Sequence, residues 1–165
     1  MPTNLGDLPT NKPLPNARCQ MKRGGADATV QIGGGLVANG AILTDGAGGD
    51  MRIVYTPTYP CYWVVRGNVM THGVDVVWSR CDFGIRITPA DADGTALGVQ
   101  CPMQVYGNSV VEWRSWSGSY MFKLSAGVAY TAYLTFEYSY GWYQRYHTGP
   151  NWLRITGRVV GEGVV

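Results

Sequence analysis

The chain has 165 residues with 15% charged side chains, 23 glycines and a formal net charge of +2 at pH 7. This length fits one domain, and the charged fraction lies well below the usual ~25%. The basic residues are scattered rather than gathered into a stripe, which disfavours a nucleic-acid-binding protein. No apolar stretch approaches the ~18–20 residues of a membrane-spanning helix, so we expect no membrane insertion.

Residues 1–26 are predicted to form an extended arm. Four prolines interrupt this segment, and proline prevents both helix continuation and pairing within a central strand. The arm is therefore expected to be disordered or to lie extended across a neighbouring surface, anchored by Leu5, Leu8 and Leu14. No basic segment followed by an apolar stretch opens the chain, so we expect no signal peptide and synthesis in a cytoplasm.

Residues 27–165 are predicted to form one β domain. Short apolar runs alternate with glycine-rich turns, and no segment shows a capped helix with apolar residues at three- and four-residue spacing. The predicted strands cover 28–32, 36–44, 51–56, 62–71, 75–88, 128–138 and 152–160, with a turn at 89–94. The fold class is therefore all-β, an antiparallel β-sandwich of jelly-roll type with an extended N-terminal arm.

Two segments show the strand period most clearly. In 128–138, apolar side chains occupy every second position, which a helix could not present as one face. In 152–160, the pattern predicts an inward face and an outward face. The inward set is Leu153, Ile155 and Val159, and the outward set is Arg154, Thr156 and Arg158.

Four cysteines, at positions 19, 61, 81 and 101, form no C-x-x-C pair of the kind that zinc and redox motifs need. We expect Cys19, Cys61, Cys81 and Cys101 to be buried small hydrophobic residues rather than a disulfide framework.

The segment 91–94 resembles the start of a calcium loop, but Thr95 and Pro102 stand where ligands would be required. The sequence therefore predicts a turn there and no metal site.

Catalytic residues are not evident. The histidines, His72 and His147, lie in no nucleophile motif, and structural roles are the better interpretation for both. Glutamate occurs only at 112, 137 and 162, which gives no clear acid–base pair for glycoside hydrolysis. We therefore expect a protein without enzymatic activity or cofactor, and we rank a cell-wall hydrolase last among the alternatives.

Two polar-aromatic clusters stand above the background, at 113–116 and 138–147. Tyrosine, tryptophan and arginine are enriched at protein interfaces, and flat rings also stack on sugar faces. A subunit interface is the favoured interpretation for most of these residues, and a glycan-binding surface is the alternative. The candidate contacts are Trp113, Arg114, Trp116, Tyr140, Trp142 and Tyr143.

Four segments in order, 62–69, 85–94, 122–131 and 152–158, resemble small virion proteins of tailed bacteriophages, particularly minor tail, fibre-head and decoration proteins of phages that infect actinobacteria. The resemblance covers about residues 51–160. Such proteins often have β-sandwich or jelly-roll domains like those of tumour-necrosis-factor-type trimers. The resemblance implies a non-enzymatic virion structural protein, and a minor tail or tail-tip protein is the favoured interpretation. A capsid decoration or head-fibre protein and a carbohydrate-binding module are the alternatives.

The same resemblance implies how the protein assembles. We expect a homotrimer that contacts other virion proteins through the arm and that contacts a host cell-surface glycan in a tail position. The location implied is the virion, after synthesis in the host cytoplasm. Nucleic acid is not an expected partner.

Overall fold

The computed structural model describes residues 19–25, 29–32, 41–73, 79–105, 113–140 and 144–162. These residues form eleven β-strands and no helix. In chain order the strands are β1 (Cys19–Arg23), β2 (Thr29–Ile32), β3 (Ala41–Ile42), β4 (Arg52–Tyr55), β5 (Cys61–Gly73), β6 (Ser79–Thr88), β7 (Leu97–Val105), β8 (Trp113–Leu124), β9 (Tyr130–Tyr140), β10 (Gln144–His147) and β11 (Leu153–Glu162).

The strands form two antiparallel sheets that pack face to face, so the predicted all-β sandwich is confirmed. The first sheet is built around the long strand β5. One edge of β5 pairs with β11 and then with β10, which lie end to end, and its other edge pairs with β8. Strands β1 and β2 extend this sheet beyond β11 and β10.

The second sheet is centred on β9. Strand β6 pairs with one edge of β9 along most of its length, and β7 pairs with the far edge of β6. The short strands β3 and β4 both pair with the other edge of β9. The described residues contain no helix with the length and hydropathy that crossing a bilayer requires.

The core lies between the two sheets, where the strand period places the apolar side chains. The predicted inward faces are confirmed for the buried residues Tyr130, Ala132, Leu134, Leu153, Ile155 and Val159, and Ile85 and Ile87 on β6 are buried beside them. Full burial of a side chain of this size contributes roughly 1.5–3 kcal/mol to folding, so these two inner faces supply most of the driving force.

Two buried indoles are packed against glycine backbone. The ring of Trp63 covers Gly157 on β11, and the ring of Trp116 covers Gly67 and Gly118, which are opposite each other on β5 and β8. A side chain at any of the three glycines would meet a ring atom. Glycine therefore allows large aromatic side chains to pack directly against the backbone of the first sheet and fill the space between the sheets.

The predicted turn at 89–94 is confirmed. The Asp91 carboxylate accepts hydrogen bonds from the backbone N–H groups of Asp93, Thr95 and Lys123 at 3.0, 2.7 and 3.2 Å. Gly94 has a φ of +82°, a conformation that side-chain-bearing residues rarely adopt. Asp91, the first acidic residue of the calcium-like segment, thus stabilises the turn through the hydrogen bonds that its carboxylate accepts from neighbouring backbone N–H groups.

The N-terminal boundary differs from the prediction. Strand β1 lies within the predicted arm, yet it pairs with β11 from Cys19–Arg158 to Arg23–Arg154. The predicted boundary after residue 26 is therefore too late, because the edge of β11 presents backbone N–H and C=O groups that the extended segment Cys19–Arg23 pairs with. Residues 1–18, including Leu5, Leu8 and Leu14, lie outside the described residues.

Cys61 and Cys81 are buried thiols in the core, as expected for small hydrophobic residues. Burial raises the pKa of the Cys81 thiol far above its ordinary value, and the neighbouring Asp82 carboxylate acts in the same direction. Such a thiol stays protonated and is a poor nucleophile. The side chains of Cys19 and Cys101 lie outside the described part of the structure.

A candidate ligand-binding surface on the first sheet

Three rings form a cluster at one end of the first sheet, and we call Trp113, His147 and Trp152 the aromatic cluster. The His147 ring lies between the two indoles, with ring centroids 5.4 Å from Trp113 and 6.1 Å from Trp152. Trp113 is 41% exposed and Trp152 is 44% exposed. The His147 ring is tilted by 50° to the Trp113 ring and by 58° to the Trp152 ring, so each indole offers its own partly exposed apolar face with a polar edge.

Strand pairing brings these rings together from distant parts of the sequence. Trp113 begins β8 opposite His72 on β5, and β10, which ends at His147, lies on the other edge of the same part of β5. The turn between β10 and β11 then brings Trp152 back beside His147. The Gly149 N–H donates to His147 Nδ1 at 3.2 Å, and the Trp152 N–H donates to the Gly149 carbonyl at 3.0 Å.

Tyr146 anchors β10 beneath the cluster. Its ring is buried in the core, and its hydroxyl accepts a hydrogen bond from the Thr44 N–H at 3.0 Å and donates to the Thr44 carbonyl at 3.2 Å. Burial raises the pKa of the Tyr146 phenol above its ordinary value, although hydrogen bonds to Thr44 oppose the shift. Because successive strand residues point to opposite faces, anchoring Tyr146 inward turns His147 outward.

A groove of about 290 Å³ lies beside the aromatic cluster and shares Trp152 with it. Its walls come from β1, β5, β8, β11 and the turn before β11. The described residues that line it are Arg23, Asn68, Val69, Met70, Ser115, Trp116, Ser117, Pro150, Asn151, Trp152 and Arg154. We call this the groove; its lining combines one exposed indole, two guanidinium groups, two amides and two hydroxyls.

One row of side chains crosses the groove from strand to strand. The register places Arg23 opposite Arg154, Arg154 opposite Asn68, and Asn68 opposite Ser117. The Asn68 Nδ2 donates to the Ser117 Oγ at 3.1 Å, which fixes the amide in place. These polar groups are therefore held on adjacent strands rather than on a flexible loop, and they are suited to binding a small polar ligand.

The predicted contact residues divide between the two faces of the sheet. Trp113 and Arg114 are exposed, but Trp116 is only 4% exposed and its ring lies 5.9 Å from that of Phe83 in the opposite sheet. The predicted stacking of a glycan on Trp116 does not fit this burial, because two residues three apart on a strand point to opposite faces and the Trp116 ring lies in the core, although Trp116 still contributes to the lining of the groove. Its Nε1 has no hydrogen-bond partner among the described residues.

The remaining predicted contacts are Tyr140, Trp142 and Tyr143, and their side chains lie outside the part of the chain that the structure describes. Tyr140 ends β9 in the second sheet, opposite Arg80, and its side chain is outside the described part. Trp142 and Tyr143 also lie outside the described residues. Sequence reasoning missed Trp152, which it treated only as the start of a strand, and assigned His147 a structural role. The one available signal was a tryptophan directly before a strand with arginine on its outward face.

The surface offers stacking, hydrogen bonding and positive charge. No group of three or more residues of the kinds that bind metal ions occurs within the described ranges. Asp82 and Glu137 do lie opposite each other on the outer face of the second sheet, but this is the far side of the sandwich from the groove. The geometry of the first sheet therefore supports binding of a small polar ligand in the groove.

Comparison with known proteins locates the fold. No family model and no curated protein sequence matches this chain. The solved structure of Eiger TNF from S. frugiperda is similar, with a TM-score of 0.56 and 11% identity over 89% of this chain and 94% of that one. A structure of the Gx strain of infectious bursal disease virus gives a TM-score of 0.33 and 12% identity, over 90% of this chain and 38% of that one. The first likeness shows a sandwich of the tumour-necrosis-factor, jelly-roll type; the second is too low to support an argument.

Proposed function

We propose that this chain is a non-enzymatic structural protein of a bacteriophage particle, a minor tail or tail-tip protein that contacts carbohydrate on the host surface. The observation that supports this most directly is the aromatic cluster beside the groove. Two indoles, each more than 40% exposed, flank His147, and one of them, Trp152, lines the groove together with amide and hydroxyl groups of the first sheet. Indole faces stack on sugar rings while polar groups bind sugar hydroxyls, so the surface suits a saccharide.

The virion assignment is supported by the resemblance of residues 51–160 to small phage virion proteins. The jelly-roll sandwich agrees with that resemblance, because it is the fold the resemblance implies. A homotrimer belongs to the same proposal. Residues 1–18 would then attach the sandwich to a neighbouring virion protein.

A capsid decoration or head-fibre protein is the alternative placement on the particle. The aromatic cluster favours the tail, since a surface for host carbohydrate is useful where the particle meets the cell. A free carbohydrate-binding module would use the same surface without an attachment segment.

Adsorption of particles to host cells tests the proposal. Purified wild-type protein should compete with phage for the cell surface and slow adsorption, and antibodies should label the tail of intact particles. Trp152→Ala should remove the competition. Leu97→Ala is the matched control, because Leu97 is 45% exposed but lies on β7 in the other sheet.

Each result bears on a separate part of the proposal. Labelling of the capsid shell alone would replace the tail placement with the decoration alternative. Competition that survives Trp152→Ala would exclude this surface as the host contact. Absence of the chain from purified particles would contradict the virion role.

A further inference from the structure

We infer that the groove selects saccharides that carry an anionic group, a carboxylate or a phosphodiester, and this inference rests on the carbohydrate-binding role proposed above. Arg23 on β1 and Arg154 on β11 are directly opposite in the strand register, and both line the groove. Residues directly opposite on one face have Cβ atoms only ~4.5–5.5 Å apart. Two arginine side chains therefore extend from neighbouring positions on one wall of the groove, and the Arg23 Nε also donates to the Met21 Sδ at 3.3 Å.

The positive charge continues along the same face of the sheet. Arg66 on β5 is opposite Thr156, and Arg158 on β11 is opposite Val64, so these two arginines lie in the next two rows from the groove. All four arginines are exposed. Among the described residues none of the four has an acidic partner, and the groove lining contains no aspartate or glutamate.

Stability of the fold does not account for this arrangement. Like charges directly opposite on neighbouring strands are destabilising, so Arg23 facing Arg154 has a cost. A charge on an edge strand does protect the edge from aggregation, and Arg23 alone would serve that purpose. Arg154 and Arg66 lie on inner strands where no edge needs protection. A bound anion would compensate both guanidinium groups at once, because the fork of arginine matches carboxylate and phosphate oxygens.

The rest of the lining indicates a sugar rather than another polyanion. Trp152 offers a stacking face, and Asn68 and Ser117 offer donors and acceptors on the adjacent strands. The groove volume of about 290 Å³ lies at the lower end of small-ligand sites, which run from ~300 to 1,000 Å³. That size suits one charged sugar unit of a chain, whereas a protein partner or a nucleic acid would need a broader surface.

Titration calorimetry of the full chain tests the inference with matched probes. Oligogalacturonate carries carboxylates, and its fully methyl-esterified form has the same sugar backbone without them. A glycerol-phosphate polymer substituted with sugar supplies the phosphodiester, and single-stranded DNA supplies charge without a pyranose. We expect one of the two acidic saccharides to bind at least tenfold more tightly than the ester and the DNA, and to weaken with added salt.

Variants separate charge from stacking. Arg154→Gln should weaken binding of the acidic saccharide about tenfold or more, since hydrogen bonds to charged groups are the stronger class. Trp152→Ala should weaken the acidic and esterified forms alike. Arg86→Gln is the matched control, because Arg86 is an exposed strand arginine on the outer face of the second sheet and should change nothing.

The outcomes distinguish this inference from the function on which it depends. Equal affinity for oligogalacturonate and its ester would overturn selection for anions and leave carbohydrate binding intact. If neither acidic saccharide binds while the wild-type protein still blocks adsorption, selection for anions is likewise overturned and the carbohydrate-binding role is left intact. DNA binding as tight as that of the best saccharide would replace the ligand class. Failure of all probes together with loss of the adsorption block would remove the proposed function itself.

Discussion

The indole Nε1 of Trp63 donates a hydrogen bond to the Oε1 of Gln20 at 3.1 Å. Trp63 is fully buried in the core, whereas Gln20 lies on the edge strand β1. The bond therefore satisfies a polar group that burial would otherwise leave without a partner. It also makes β1, which sequence patterns place in an arm, part of the folded domain.

Gln20→Leu should lower the free energy of unfolding by about 1–3 kcal/mol, because the Trp63 N–H would then be buried without its acceptor. Chemical denaturation followed by tryptophan fluorescence measures the change. Met21→Ala is the control, since Met21 is exposed on the next position of the same strand and should alter stability by no more than ~0.5 kcal/mol. Equal effects from the two substitutions would contradict a specific role for the hydrogen bond.

Removal of residues 1–18 should leave a folded sandwich but abolish attachment to the particle. Removal of residues 1–25 should also destabilise the sandwich, because it deletes β1, its ladder with β11 and the acceptor for Trp63. Circular dichroism during thermal unfolding and co-sedimentation with particles measure the two effects separately. An unchanged melting temperature after the longer deletion would show that β1 contributes nothing to the domain.

Gly118→Ala should destabilise the fold by about 1–3 kcal/mol, because the new methyl group would meet the buried Trp116 ring. The ring cannot move away freely, since it also covers Gly67 and contacts Phe83. Ser119→Ala, at the next and exposed position of β8, is the matched control. Denaturant midpoints that shift equally for both variants would argue against close packing at this site.

Stability should fall at acid pH through the Lys22–Asp45 ion pair, in which Nζ and Oδ2 are 3.0 Å apart. The hydrogen bond from Lys22 lowers the pKa of Asp45 below its ordinary value of 3.8, with smaller help from the Gly49 and Ala47 N–H groups. Since the folded pKa is the lower one, the contribution is complete above pH 3.8 and is lost as the pH falls through the folded value.

Comparison with Asp45→Asn checks that sign. The wild type should be the more stable protein at neutral pH, and the difference should shrink as the pH falls below 3.8. Asp93→Asn, which removes the 64% exposed partner of Lys123 from a longer pair of 3.5 Å, should have little effect on stability at neutral pH. A difference that is constant from neutral to acid pH would assign the effect of Asp45 to its turn rather than to its charge.

Native mass spectrometry at micromolar concentration should give three times the mass of the chain if the proposed trimer forms. Cross-linking in intact particles should likewise give a product that contains three copies of the chain. A stable monomer in both experiments would contradict the trimer without affecting the sandwich or the groove.

Some features of the fold are predictable from local pattern. Strand β11 alternates strictly between buried and less buried side chains, and β9 follows the same period from Tyr130 to Leu134, so their inward sets follow from the sequence; Thr135 departs from the period because it is buried on the other face of β9. Strand β8 carries the same signal in Trp116, Phe122 and Leu124, but glycine and serine between these residues weaken it. The local pattern groups the tryptophans of β8 in one patch, whereas strand geometry places Trp113 and Trp116 on opposite faces.

The candidate surface depends on pairings between distant strands, which local pattern does not encode. Trp113 and His147 meet only because β8 and β10 occupy opposite edges of the same part of β5. Likewise, Arg23 faces Arg154 only in the register that β1 adopts on β11. The sequence shows the residue types that such a surface would need, and the sheet topology determines which of them become neighbours.

The end-to-end arrangement of β10 and β11 along β5 has an evolutionary consequence. The turn that links them contributes Pro150, Asn151 and Trp152 to the groove, while both flanking strands are held by β5. Insertions or exchanges in this turn would reshape the recognition surface without disturbing the ladder on either side. Under the proposed role in host contact, variation that changes host range would concentrate in the few consecutive codons of this turn, and the sandwich would persist unchanged beneath it.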